Sequence, residues 1–194
     1  NSLSALGVDY IDLYQLHSPQ PQWPIQQTME ILVRLKTQGK IRHIGLSNYT
    51  PKETEQAMRF GPIVSSQPRY NMIFTQEDET LKFCKANEIG VIPHSVLSKG
   101  LLGGKYKPGH TFAPDDERRL FNFFRGSLFE TIYEVTEKLK AWAEDRDRDL
   151  IQLAVAWVVA NPAVTSAIVG MKSVTQVENV SKSATWKLTD SDLS

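Results

Sequence analysis

Asp9-Tyr10-Ile11-Asp12-Leu13-Tyr14-Gln15-Leu16-His17 reads as a short, mostly apolar strand that ends in a histidine. Its near-continuous apolar and aromatic character suits a parallel strand covered on both faces. Ser18-Pro19-Gln20-Pro21 follows and can continue neither strand nor helix. His17 is therefore expected where a buried strand delivers its last side chain to the mouth of a sheet, which is where α/β folds place chemistry. Taken alone, a strand-end histidine is more often structural than catalytic. Later strands that also end in polar residues raise its standing.

Working outward, residues 1–7 look like the last turns of a helix stopped by Gly7. Residues 23–38 carry Ile25, Met29, Leu32 and Val33 at helical spacing, with Pro24 in the first turn and Gly39 past the end. A second strand, residues 40–46, closes on Ser47-Asn48. Thr50-Pro51-Lys52-Glu53 then supplies an N-cap, a proline at the first helical position and the acid of a capping box. The helix it starts runs to residue 60, before Gly61-Pro62. Residues 63–67 form a third strand and residues 77–88 a helix. Residues 90–94 form a fourth strand, whose Pro93 must lie at its end or at a bulge. Residues 98–126 break the pattern as a long loop with a short helix. Helices follow over residues 128–146 and 150–160, separated by the solvated charge run at residues 144–149. A fifth strand is expected at residues 166–169, and a last helix, capped by Ser173, to residue 184.

Strand and helix alternating five times means parallel βαβ units. An open nucleotide-binding sheet should carry G-x-G-x-x-G after its first strand, and none is present. The expected fold is a (β/α)8 TIM barrel of which this chain holds about the last five βα units, as a single domain over residues 1–194. The chain has 194 residues, enough for one domain with a real core. It carries 22 basic and 22 acidic side chains, for a formal net charge of zero. That balance argues against nucleic acid as a partner. The single cysteine, Cys84, precludes an internal disulfide, fits a reducing, cytoplasmic setting and reads as a buried helix residue. No apolar run reaches the roughly 20 residues a membrane span needs. His17, His43, His94 and His110 show no metal-ligand spacing, so no metal is expected.

Five ordered stretches resemble the aldo-keto reductases, in the branch that includes the β subunits of potassium channels. They are residues 6–17, then Gly39-Lys40-Ile41-Arg42-His43-Ile44-Gly45-Leu46-Ser47-Asn48, Gln67-Pro68-Arg69-Tyr70-Asn71, residues 95–106 and residues 170–179. The resemblance implies a (β/α)8 barrel, an NADP cofactor and a small-molecule aldehyde or ketone as substrate. By it, His17 is the histidine of the catalytic tetrad. Ser47, Asn48 and Gln67 hydrogen-bond the nicotinamide carboxamide, a planar amide that needs both donors and acceptors. Ser95, Leu97, Gly100 and Lys105 match the segment that straps over the pyrophosphate. Gly170 and Lys172 open the last helix, where a cation favours the 2′-phosphate of NADP over NAD. Gln176 and Asn179 hold the adenine side.

The chain departs from the family in three places. His94 stands where the family stacks Tyr, Trp or Phe on the nicotinamide, and an imidazole offers less contact. Val96 replaces a proline. The step from Gln176 to Asn179 is one residue shorter than the family spacing, so Glu178 and Asn179 compete for the adenine, with Asn179 preferred. The tetrad's aspartate, tyrosine and lysine match nothing in residues 1–194, and Tyr10, Tyr14 and Tyr70 sit in other motifs. Residues before Asn1 are therefore expected in the natural protein, and residues 1–194 alone are expected not to sustain turnover. The alternative reading is a regulatory subunit that holds cofactor with little or no turnover. Phe112, Phe121, Phe123 and Phe124 in the long loop are expected to pack as core.

Overall fold

A computed structural model describes residues 2–193. β1 (Ile11–Leu16), β2 (Ile41–Ser47), β3 (Ser65–Gln67) and β4 (Gly90–Val91) form one sheet in sequential order, every pair parallel. A doubly wound sheet reverses its strand order at a switch point. This sheet does not, and its order is that of an arc of a barrel wall. Leu16 pairs with Leu46, Ser47 with Gln67, and Ser66 with Val91.

The chain packs as two units. The first holds residues 2–69, 76–94 and 162–166: the sheet with α1 (Ser2–Leu6), α2 (Ile25–Thr37), α3 (Pro51–Met58) and α4 (Asp78–Ala86). Its core lies between sheet and helices, where Met29, Leu32, Ile41, Ile44, Leu46, Tyr49, Ala57 and Ile63 are buried together. Thr50 starts α3 as the sequence predicts. Its hydroxyl accepts from Glu53 N at 3.3 Å, and Glu53 Oε2 accepts from Thr50 N at 2.8 Å. Gly7 and Gly39 follow α1 and α2 at φ +66° and +72°, values that suit glycine. Cys84 is buried in α4, and burial pushes its thiol above the ordinary value against a smaller opposing hydrogen bond from Ser66.

Several elements are shorter than the sequence suggests. α2 begins at Ile25 because Pro24 keeps an extended backbone (ψ 130°) at the N-cap. β4 stops at Val91; beyond it Ile92 N and His94 N still donate to Ser66 O and Pro68 O at 2.9 Å, and an isolated bridge joins Arg69 and His94. Pro93 falls between these two donors, where a proline costs the pairing with β3 no hydrogen bond. The fifth strand expected at residues 166–169 is not one. Pairing with β4 occurs instead as a single bridge, Val91 to Val164, with Thr165 N donating to Val91 O at 2.8 Å.

The second unit holds residues 70–75, 95–161 and 167–193. Its helices are α5 (Gly126–Glu144), α6 (Leu150–Ala160), α7 (Val174–Ser181) and α8 (Asp190–Leu193). The long loop carries 3-10 turns at Ser98–Gly103, Glu117–Leu120 and Asn122–Phe124. Leu101, Tyr106, Phe123, Phe124, Phe129 and Ile132 form a core against which Phe112 and Phe121 pack, so the loop's phenylalanines are core residues. Asp149, at the end of the charge run, caps α6 by accepting from Gln152 N at 2.8 Å. Among the described residues no helix is long and apolar enough to cross a membrane.

Candidate active site

The strand ends of the first unit converge on Asn48. Parallel strands all expose their C-terminal ends on one edge, so residues just past β1, β2 and β3 become neighbours. Asn48 follows β2 at φ +60°, a left-handed conformation that asparagine tolerates better than most residues. Its amide nitrogen donates to the carbonyl oxygen of His17 at 3.0 Å and to Ser47 Oγ at 3.1 Å. Its backbone N–H donates to Gln67 O at 3.2 Å, and Ser47 Oγ donates to the same carbonyl at 2.8 Å. Asn48 Oδ1 lies 2.8 Å from His94 Nε2. The structure thus brings together all five candidates of this unit: His17, Ser47, Asn48, Gln67 and His94. His17 and Asn48 are exposed, Gln67 and His94 half-buried and Ser47 buried.

Gln15 is a further neighbour of these candidates, one the sequence expectations do not include. Gln67 Nε2 donates to Gln15 Oε1 at 2.8 Å, and Gln15 Nε2 donates to Ser65 Oγ at 3.2 Å. Gln15, Gly45 and Ser65 are register partners in one row. Gly45 leaves the space that Gln15 crosses, since a Cβ there would stand 2.2 Å from Ser65 Oγ and 2.9 Å from Gln15 Cγ. The available signal was period: Gln15 lies two residues before His17 and shares its face of the strand. Tyr49 steadies the turn after β1, its hydroxyl donating to Ser18 O at 3.4 Å. Burial, and then the charge of Glu53, raises its phenol above the ordinary value.

The donor and acceptor count suits a planar carboxamide. Asn48 Oδ1 keeps one lone pair beyond its contact with His94, and Gln67 Nε2 keeps one N–H beyond its bond to Gln15. Among the described residues no group of three or more His, Cys, Asp and Glu side chains is placed to hold a metal ion. A recess of about 270 Å³ in the same unit, lined by Leu13, His43, Val64 and Ile92 among others, contains none of the candidate residues.

In the second unit, Ser95 (φ 56°), Ser98 (φ 47°), Lys99 (φ 52°) and Gly100 (φ 97°) make a strap rich in left-handed backbone. Such strain persists only where surrounding contacts over-determine it. Ser95 O accepts from Asn71 Nδ2 at 2.9 Å and from Ser98 N at 2.7 Å. Leu97 packs against Leu102, Leu150 and Ala154, and Gly100 lies under the ring of Tyr106, 3.1 Å from where its Cβ would stand. The Ser98 hydroxyl is buried with no partner among the described residues, a donor that suits a bound acceptor. Lys105 is exposed, its ammonium 5.0 Å from the centre of the Tyr106 ring. Lys99 pairs with Glu117 at 2.7 Å. Arg118 forks onto Asp116 and donates to the Tyr106 hydroxyl. The Arg118 hydrogen bonds, with a smaller pull from Lys172, hold the Asp116 carboxyl at about 2.

Gly170 and Lys172 are exposed just ahead of α7, and Ser173 caps that helix by accepting from Gln176 N at 3.3 Å. Gln176 Oε1 accepts from Lys172 N at 2.6 Å. Asn179 faces inward. Its Nδ2 donates to Asp149 Oδ2 at 2.5 Å, and its Oδ1 accepts from Gln152 Nε2 at 2.6 Å. Both ends of its amide are therefore engaged within the protein, while Glu178 is exposed.

Comparison with known proteins agrees with the resemblance at the level of the family, and does not extend to the branch of the potassium-channel β subunits. The profile described as "Aldo/keto reductase family" matches residues 1–194. The aldo-keto reductase YhdN of Bacillus subtilis is 34% identical over 194 residues, covering 99% of this chain and 59% of that protein. An L-glyceraldehyde 3-phosphate reductase of Escherichia coli O157:H7 is 30% identical, covering 91% and 54%. Among solved structures, a glycerol dehydrogenase from Gluconobacter oxydans superposes with a TM-score of 0.90 at 31% identity, covering 98% of this chain and 58% of that one. A thermostable aldo-keto reductase in complex with epalrestat gives 0.76 at 25%, covering 99% and 61%. The chain spans little more than half the length of the curated relatives it matches. Its sequential parallel sheet is an arc of the (β/α)8 barrel these structures share. The chain belongs to the aldo/keto reductase family.

Proposed function

We propose that residues 1–194 act as a single aldo-keto reductase-like domain that holds NADP in a cytoplasmic reductase of aldehydes and ketones. The observation that carries this reading is the joined set at the strand ends, with Asn48 linking His17, Ser47, Gln67 and His94. NADPH, when bound, supplies a hydride to the carbonyl carbon. The chain's own residues bind, orient and stabilise. Asn48 Oδ1 accepts from the carboxamide N–H and Gln67 Nε2 donates to its oxygen, which selects the ring face offered to substrate. His17 donates toward the carbonyl oxygen, where negative charge grows as the hydride arrives.

In the second unit Ser95, Leu97, Gly100 and Lys105 form the strap for the pyrophosphate. Lys172 beside Gly170, at the start of α7, meets the 2′-phosphate with a full charge. Gln176 and Asn179 serve the adenine side, and Asn179 does so only by exchanging its bonds to Asp149 and Gln152. His94, standing where the family uses a large aromatic ring, favours a second reading: a regulatory subunit that holds cofactor without useful turnover. Mixing the NADPH-loaded natural protein carrying this sequence with a short-chain aldehyde separates the two. Loss of NADPH absorbance in one turnover, slowed by His17→Ala, is expected of the reductase; bound NADPH that stays unoxidised overturns it in favour of the subunit.

A further inference from the structure

His94 makes a contact that stacking alone does not require. The carbonyl oxygen of His17 can only accept, so the Asn48 side-chain atom 3.0 Å from it must be the amide nitrogen. That orientation turns Asn48 Oδ1 toward His94 Nε2 at 2.8 Å. Oδ1 also only accepts, so Nε2 carries the proton. The second hydrogen of the Asn48 nitrogen is directed at Ser47 Oγ. An exposed asparagine with positive φ is thereby held at both ends, its nitrogen by His17 and Ser47 and its oxygen by His94.

We propose that His94 is a positioning residue, fixing the Asn48 amide through the Nε2–Oδ1 hydrogen bond so that a nicotinamide carboxamide N–H always meets an acceptor. This rests on the NADP reading above. His94 belongs to the segment after β4 and Asn48 to the turn after β2, so the bond also ties two strand ends that share no ladder. Neutral imidazole protonated at Nε2 makes the bond, and so does imidazolium, so the restraint survives protonation of the ring.

The test is discrimination between two cofactors. Reduced NADP and its reduced 3-acetylpyridine analogue differ at the carboxamide, which the analogue replaces with a methyl ketone that has no N–H. Binding of each to the full chain is followed by fluorescence. The wild-type protein is expected to prefer the carboxamide form about five- to tenfold, the range of one hydrogen bond. His94→Phe keeps an aromatic face and loses the donor, so the preference should fall to within about twofold while affinity for NADPH weakens. His94→Ala should flatten the preference as well. His94→Gln returns a donor without the ring and should retain the preference.

A pure stacking role predicts the reverse order, with phenylalanine binding as well as histidine or better and glutamine worst. Unchanged discrimination in His94→Phe and His94→Ala, with binding intact, overturns the role assigned to His94 and leaves the proposed function standing. Failure of the wild-type protein to bind either dinucleotide overturns both.

Discussion

Gly45→Ala should cost more than its one added carbon suggests. Gly45 sits in the middle of β2, between register partners Gln15 and Ser65. A Cβ there would lie 2.2 Å from Ser65 Oγ, 2.9 Å from Gln15 Cγ and 3.2 Å from Gln15 Nε2. The first two distances are shorter than real side-chain contacts, so Gln15 or Ser65 must move. Overpacking of this kind costs about 1–3 kcal/mol. Moving Gln15 also breaks its hydrogen bonds to Ser65 and Gln67, each worth about 0.5–1.5 kcal/mol net. Alanine returns about 0.5–1 kcal/mol through lower backbone entropy. The net expectation is a loss of about 3 kcal/mol of stability, carried by overpacking and the two bonds together.

Urea denaturation of the chain measures it, as a lower midpoint at unchanged slope. The Gly45→Ala/Ser65→Gly double variant removes the worst clash and should recover part of the loss, giving coupling well above the few tenths of a kcal/mol seen between independent sites. Gln67 loses its partner in Gly45→Ala, so NADPH binding should weaken several-fold as well. A Gly45→Ala protein within about 0.5 kcal/mol of wild type, or additive effects with Ser65→Gly, would refute the reasoning.

Asn179→Ala should destabilise by about 1–3 kcal/mol in the same urea assay, because it strips a partner from Gln152, which is buried, and from Asp149. A change below about 0.5 kcal/mol would mean those contacts carry no weight. Thr50→Ala should cost about 1 kcal/mol by removing the α3 cap, with Thr50→Ser close to wild type. Asp116 titrates at about 2, below its ordinary 3.8, because Arg118 favours its charged form. A depressed carboxyl contributes stability that is full above the unfolded value and lost as pH falls toward the folded one. Asp116→Asn should therefore flatten the fall in thermal midpoint between about pH 4 and pH 2. An unchanged acid limb would contradict the pairing.

Much of the fold is legible because it is encoded locally. The Thr50-Pro51-Lys52-Glu53 cap, the stops at Gly7 and Gly39 and the helical spacing over Met29 and Leu32 all act within one turn of helix. Strand lengths depend on partners and are harder to read. Ile63 and Val64 are as strand-favouring as any residue in β3, yet the ladder begins at Ser65. Residues 166–169 look like a strand by composition but form no ladder among the described residues; the bridge forms at Val164, and Ser166 N reaches Val91 O at 3.4 Å. At the site, His17, Ser47, Asn48 and Gln67 are readable as strand ends. Their linkage through Gln15 is not, because Gln15 meets Ser65 and Gln67 across 50 and 52 residues of chain. The inward bonds of Asn179 are hidden for the same reason: its partners lie 30 and 27 residues away, Asp149 at the cap of α6 and Gln152 in its first turn.

Equilibrium titration of the chain with NADPH and NADH, followed by cofactor fluorescence, tests the central claim most directly. Saturable one-to-one binding is predicted, with NADPH about tenfold or more tighter than NADH and Lys172→Ala closing most of that gap. No saturable binding, or equal affinity for the two cofactors in the wild-type chain, would contradict the account.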